Sequence, residues 1–344
     1  MGFKHFTIRV RQPFRLDLTV WALRRRPHNT VDVWDGTTYL RTLVVDGGPV
    51  RVAVRQGEVD VSEFVRLDVE VRRRGEDPSE VSVVETRHLL ERMLGLEIDL
   101  GGFYRLAATD VHLSELSRRF LGVRPPRFAS VFEGLVNAIA CQQLSLTVGI
   151  HLLNRLAAVY GPVVDVPRAD PGFPTPERLS VAEVSHLRDL GFSTAKARTL
   201  IELSRRVVTG ALDLDAVETC DDRHATTILT ALPGIGRWSA EYVLLRGLGR
   251  LGVLPGDDVG ARNSLRRYFE LSESAGYHEV VDLARGWSPY GGVVYFHLLL
   301  DGLARDGQLQ LATSELTTRY SAPGPISPPR YPVDGVGYDT RGVA

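Results

Sequence analysis

The segment Leu232-Pro233-Gly234-Ile235-Gly236 constrains this chain more than any other. Helical patterns flank it, over residues 222–232 and 237–248, and the few residues between leave room only for a tight helical hairpin. Glycines spaced by one residue permit positive φ and let another backbone come close. The N–H groups that open the second helix lack intrahelical acceptors, so they form a ready phosphate site that needs no net positive charge. An αα-turn that merely required glycine would look the same, so the hairpin alone does not separate a nucleic-acid clamp from a plain turn.

The chain beyond the hairpin is more specific. The second helix ends near Gly249, and a short link carries the chain to Pro255-Gly256-Asp257-Asp258. The helical spacing of Val259, Leu265, Tyr268 and Phe269 then begins, which places both aspartates at a helix start. One acid there is an ordinary N-cap. A second beside it is less usual, because two like charges then share the first turn. The order suggests Asp257 as the cap and Asp258 as the acid facing a cleft, where a helix N-terminus attracts negative charge.

Charge limits how such a chain could hold DNA. Lys+Arg 41 against Asp+Glu 42 gives a formal charge of −1, whereas a protein relying on massed cations would be more basic. Any nucleic-acid contact must use local geometry, meaning backbone amides and a few placed arginines. The runs Arg24-Arg25-Arg26 and Arg72-Arg73-Arg74 could contact DNA but read as solvated surface, and Lys196 and Arg198 could touch the DNA backbone but read as solvated too. Two cysteines, Cys141 and Cys220, cannot ligate a four-cysteine iron–sulfur or zinc site. No apolar run approaches a membrane span and the start lacks a secretory core, so the expectation is a cytoplasmic protein, nucleoid-associated in a bacterium.

The texture changes once along the chain. Residues 14–21 alternate apolar and polar, as in a half-buried strand, and residues 50–55 repeat the alternation after the turn residues Asp46-Gly47-Gly48-Pro49. Further β-runs are expected near residues 67–71 and 81–84. After about His88 the period becomes helical, as in Phe132, Leu135, Val136 and Ile139, then Leu152, Leu153 and Leu156. Strands followed by helices predict an α+β chain. The Gly- and Pro-rich residues 321–344 are expected to be disordered.

These features together resemble the helix-hairpin-helix (HhH-GPD) DNA glycosylases, nearest to the 3-methyladenine DNA glycosylase II (AlkA) type. The matching residues are Leu232-Pro233-Gly234-Ile235-Gly236-Arg237-Trp238, then Tyr242, Leu254-Pro255 and Asp258. Upstream, Phe132-Glu133, Ala138-Ile139 and Gln142-Gln143-Leu144-Ser145 look like the family's helix and wedge turn. Residues 173–179 and Gly191 with Lys196-Ala197-Arg198 also fit. Trp287-Ser288-Pro289-Tyr290 and His297 are similar too, but Leu299 stands where the nearest type has a pocket aromatic. The resemblance implies a TBP-like antiparallel sheet domain over residues 1–90, followed by an all-α two-lobed body with the active-site cleft between its lobes. Residues 91–125 with 251–320 would form one lobe, and 126–250, with the hairpin, the other.

By the same resemblance, Asp258 is the essential carboxylate, stabilising an oxocarbenium-like sugar or activating water. Trp238 and Tyr242 would line the base pocket, and Gln143 would enter the minor groove. The N–H groups of Gly234, Gly236 and Ser239 would hold a phosphate. The carbonyls of Thr230, Leu232 and Ile235 would hold a structural monovalent cation, with no other cofactor. Tryptophan at 238, where bifunctional relatives carry lysine, implies hydrolysis without a Schiff-base lyase step. The implied partner is damaged double-stranded DNA, acted on by a monomer.

Two other classes compete. A DNA-binding protein that has lost turnover would keep the hairpin but has no need of Asp258. An oxidised-base or mismatch-adenine glycosylase would usually carry the lysine at 238 or an iron–sulfur cluster.

Overall fold

The computed structural model describes residues 2–59, 63–75, 77–164 and 170–309; the expected disordered tail lies outside them. Among them an antiparallel sheet is built from β1 (Gly2–Arg11), β2 (Val33–Trp34), β3 (Thr38–Val45), β4 (Gly48–Val59) and β5 (Phe64–Arg73), in the order β1-β5-β4-β3-β2. The register pairs Ile8 with Leu67, Val69 with Val54 and Val71 with Val52, so one face is continuous aliphatic core. The other face carries Arg9, Arg66, Arg72 and Arg55 to solvent. Asp46 and Gly47, both at positive φ, make the β3–β4 turn.

Two β-expectations fail here. Residues 14–21 are not a strand; most of them lie in α1 (Leu16–Arg24), whose Leu16, Leu18, Thr19, Val20, Ala22 and Leu23 are all buried. A helix wrapped on nearly every side has no polar stripe, so its sequence loses the 3.6-residue signature and an accidental alternation remains. Residues 81–84 belong to α2 (Glu80–Met93), which begins before His88. The Ser79 hydroxyl caps it by accepting the Ser82 N–H, while Val81 and Val84 face solvent, which hid the helical period.

The remaining helices are α3 (Gly101–Ala107), α4 (Val111–Arg119), α5 (Val131–Cys141), α6 (Leu146–Tyr160), α7 (Pro176–Ser180), α8 (Val184–Asp189) and α9 (Thr194–Val208). They continue as α10 (Leu214–Thr219), α11 (Asp222–Thr230), α12 (Arg237–Arg246), α13 (Val259–Tyr268), α14 (Tyr277–Arg285) and α15 (Gly291–Arg305). Helix α5 is the axis of this body: every residue from Val131 to Ala140 is buried, and α6, α9 and α12 pack around it. A buried ion cluster fastens the sheet to α5. Arg41 of β3 reaches both Asp32 and Glu133, with Tyr39 donating to Asp32. Burial holds the Glu133 carboxyl above its ordinary range, against the pull of Arg41.

The arginine run near the start also departs from expectation. Arg24 and Arg25 are buried rather than solvated. The Arg24 guanidinium caps carbonyls of Arg26, Pro27 and Trp34, and Arg25 crosses into the helical body. No helix among the described residues is long and apolar enough to cross a membrane.

Candidate active site

Helices α11 and α12 form the hairpin. Gly234 sits at φ +78°, where a Cβ would also meet Thr199 of α9, so glycine is required there on both counts. Gly236, in extended conformation, opens α12 without any side-chain cap. The first helical bond runs from Ala240 N–H to the Gly236 carbonyl. The N–H groups of Arg237, Trp238 and Ser239 are therefore left without an intrahelical acceptor. A Cβ placed on Gly236 would meet nothing within 4 Å, so open space stands before these donors. The Ser239 side chain turns inward, where its hydroxyl accepts a hydrogen bond from Gln142 Nε2 at 2.8 Å.

Along α12, Trp238, Tyr242 and Arg246 recur every four residues and form one stripe. Trp238 is half-buried, and its ring lies 5.3 Å from that of Tyr242 at an interplanar angle of 31°. Tyr242 is 3% exposed, so it backs the indole rather than presenting a free face. Its hydroxyl accepts from Arg25 Nη1 at 2.6 Å, while Arg25 Nη2 donates to Asn137 Oδ1. Arg246, fully buried, lies over the rings of Phe128, Tyr242 and Phe296 and donates to the Ala22 carbonyl near the end of α1.

Asp258, not Asp257, caps α13: its Oδ1 accepts the Ala261 N–H at 2.9 Å. The assignment of the cap to Asp257 is corrected by the backbone, because the Asp258 N–H closes a turn on the Pro255 carbonyl and Asp258 is the extended residue at the helix boundary. The second oxygen, Oδ2, faces the Trp238 indole N–H at 3.4 Å and the Tyr295 hydroxyl at 3.3 Å. Capping and facing the site are thus done by one carboxylate, half-buried between α12, α13 and α15. Burial, and then the Asp258 charge, hold the Tyr295 phenol well above its ordinary value, so it remains a donor.

Asp257 is instead an ion-pair hub, taking Arg237 on Oδ2 and Arg262 on Oδ1. Beside it, Glu241 accepts the Tyr277 hydroxyl and the Gly256 N–H, bracing the loop before the acid. Burial raises the Glu241 carboxyl, and Tyr277 is pushed up to about 12 by burial and by that hydrogen bond.

Gln143 is exposed, at the turn between α5 and α6, with φ +56°. The carbonyls of Thr230, Leu232 and Ile235 lie in the hairpin, and Leu232 O accepts the Ile235 N–H. His297 is core: burial lowers it to about 4, and its Nδ1 bonds the Val293 carbonyl. Lys196 does not point freely into solvent, since its Nζ holds two carbonyls of the α5 end. Sequence reasoning missed Tyr295 and the Asp257 hub, read Arg25 as surface, and placed Gln142 in the turn without its contacts to the hairpin. A lone phenol in the apolar run Val293-Val294-Tyr295-Phe296 was the one signal available for Tyr295.

Residues 136–289 match the model of the HhH-GPD superfamily of base excision DNA repair proteins. The chain is similar to this superfamily over that segment, which includes the hairpin and Asp258. It is 32% identical over 178 residues to DNA-3-methyladenine glycosylase 2 of Escherichia coli, covering 49% of this chain and 62% of that protein. It is 31% identical over 161 residues to the putative DNA-3-methyladenine glycosylase YfjP of Bacillus subtilis, covering 47% and 55%. The matched segments thus span less than two thirds of these two relatives. Among solved structures, the 3-methyladenine DNA-glycosylase from Archaeoglobus fulgidus superposes with TM-score 0.76 at 28% identity, covering 89% of this chain and all of that one. A Clostridium acetobutylicum 8-oxoguanine glycosylase/lyase bound to double-stranded DNA shares the fold at TM-score 0.67 and 16% identity. Fold alone therefore does not select the base.

Proposed function

We propose that this chain is a monofunctional DNA glycosylase, which flips an alkylated purine of the 3-methyladenine type out of double-stranded DNA and hydrolyses its N-glycosidic bond. The observation that carries this reading is the divided Asp258 carboxylate. Oδ1 is committed to the helix, which fixes the group, while Oδ2 lies beside an indole N–H and a phenol. A fixed carboxylate of that kind stabilises an oxocarbenium sugar as the bond to the base lengthens, or orients the water that attacks the anomeric carbon. The electron pair of the broken bond goes to the base. An alkylated purine is already cationic and leaves as a neutral molecule, so no general acid is needed. The half-buried Trp238 would supply a π-face for that cation.

The chain's lysines support hydrolysis without strand cleavage. Lys4 and Lys196 are the only two in the sequence; the first pairs with Glu80 and the second is held by main-chain carbonyls. DNA would be gripped by a monomer through the amides at Gly234, Gly236 and Ser239. Thr230, Leu232 and Ile235 would offer carbonyl oxygens to a monovalent cation. Among the described residues no backbone N–H bonds the first or last of these carbonyls, and Leu232 O keeps a second lone pair, so the donor set fits a hard cation. Such an ion would screen the adjacent phosphate.

Release of 3-methyladenine or 7-methylguanine from methylated duplex DNA tests the reading. Asp258→Asn is expected to cost roughly 10²–10³-fold or more in rate while DNA binding persists. Asp257→Asn removes only part-exposed ion pairs and should keep the rate within about tenfold. Equal losses in both variants would refute the assignment, and a borohydride-trapped adduct with wild type would refute the absence of a lyase step.

A further inference from the structure

The residues Cys141-Gln142-Gln143-Leu144 form a type II β-turn between α5 and α6. Gln142 has φ −53° and ψ 132°, Gln143 has φ +56°, and the Leu144 N–H returns to the Cys141 carbonyl at 3.3 Å. The third position of such a turn favours glycine or asparagine, yet glutamine occupies it at a positive φ that costs of order 1 kcal/mol or more. A flip of the Gln142–Gln143 peptide would relieve that strain by converting the turn to type I. It would also re-aim Gln143 and the exposed Leu144.

Two contacts oppose the flip. Lys196 Nζ, from α9, donates to the Gln142 carbonyl at 2.7 Å and to the Ala140 carbonyl at 3.0 Å. It thereby grips the very peptide that would rotate. The Gln142 side chain reaches the other way, and its Nε2 donates to the Gly234 carbonyl and to Ser239 Oγ, both at 2.8 Å. The strained turn is thus tied on one side to α9 and on the other to the glycine hairpin.

We propose that Lys196 and Gln142 are positioning residues that latch this turn in its strained form, so that Gln143 and Leu144 stand at a fixed offset from the hairpin's phosphate site and fill the stack when the base leaves. The inference rests on the proposed glycosylase reading. Neither residue touches the reacting atoms, so the latch governs extrusion of the base and not cleavage of its bond. Extrusion is costly for a paired, stacked base and cheap for a mismatched one. A defect in the latch therefore depends on pairing, whereas a defect in chemistry or folding does not.

The test uses the full chain with Lys196→Met and Gln142→Ala, and Asp258→Asn as the chemical control. Single-turnover excision of 7-methylguanine is measured opposite cytosine and in a mismatched, poorly stacked context, with thermal midpoints recorded alongside. Each latch variant is expected to lose about tenfold or more on the paired lesion, the size of one or two hydrogen bonds. On the mismatched lesion it should come within about threefold of wild type, because the unstacking cost is then largely absent. Asp258→Asn should lose equally in both contexts. Latch variants that lose equally in both contexts, or that lose nothing on the paired lesion, overturn the proposal. Wild type inactive on both substrates would instead sink the glycosylase reading itself.

Discussion

Gly236→Val isolates the hairpin from the rest of the site. In the free protein an added Cβ meets no atom within 4 Å, and φ −95° is open to valine, so the backbone and the first side-chain atom fit without strain. Valine is a poorer N-cap than glycine, which costs up to about 1 kcal/mol, partly offset by lower entropy of the unfolded chain. The melting temperature should therefore fall by no more than about 2–4 °C. Binding is a different matter. The isopropyl group would fill the space before the N–H groups of Arg237, Trp238 and Ser239, where a phosphate would sit. Hydrogen bonds to a charged group are worth about 1.5–3 kcal/mol each, so displacing two of them weakens binding by roughly 10²-fold or more. Fluorescence anisotropy at one fixed salt concentration, on undamaged duplexes of differing sequence, reads this directly. The loss should be the same for every sequence, because phosphate carries no base information. Unchanged affinity, or a loss confined to damaged DNA, would show that the phosphate lies elsewhere.

The same geometry fixes three further outcomes. Tyr295→Phe removes one long hydrogen bond to Asp258 Oδ2 and should lower the excision rate about threefold to tenfold at unchanged stability; a rate equal to wild type would remove Tyr295 from the site. Arg41→Ala leaves Asp32 and Glu133 buried without their cation and should cost about 3–5 kcal/mol, read as a shift in the urea midpoint. His297 is held neutral to about pH 4 in the fold but titrates near 6.5 when unfolded. Between those values only the unfolded chain gains the proton, so stability should fall as pH drops from 6.5 towards 4. The loss is up to about 3 kcal/mol for this 2.5-unit difference (6.5 − 4), and His297→Gln should flatten it.

The hairpin and its acid were legible because their signals are local. Glycines at fixed offsets, a helix period on each side and an acid at the next helix start all lie within thirty-odd residues. Which of two adjacent aspartates caps α13 was not legible, since the choice depends on a backbone turn to Pro255 and on where Arg237 and Arg262 reach. Helix α1 was misread for a related reason: its partners surround it, so solvent leaves no mark on its sequence. The burial of Arg24 and Arg25 could not be seen either. Their acceptors are the Trp34 and Pro27 carbonyls, Tyr242 and Asn137, and the last two lie more than a hundred residues away. Tyr295 needed the approach of α15 to α13, which no spacing in one sequence encodes.

Arg25 ends the first helix of the chain, yet its two nitrogens terminate on a phenol and an amide contributed by α12 and α5. The helical body consequently lacks a finished back wall of its own behind Trp238. A fragment beginning near residue 126 would leave the Tyr242 hydroxyl and the Asn137 carboxamide staring into a hollow that water can flood, directly behind the indole. The amino-terminal third is thus no detachable accessory. Any foreign sheet spliced in its place would have to deliver a guanidinium to this same spot before the wall behind the indole could be called closed.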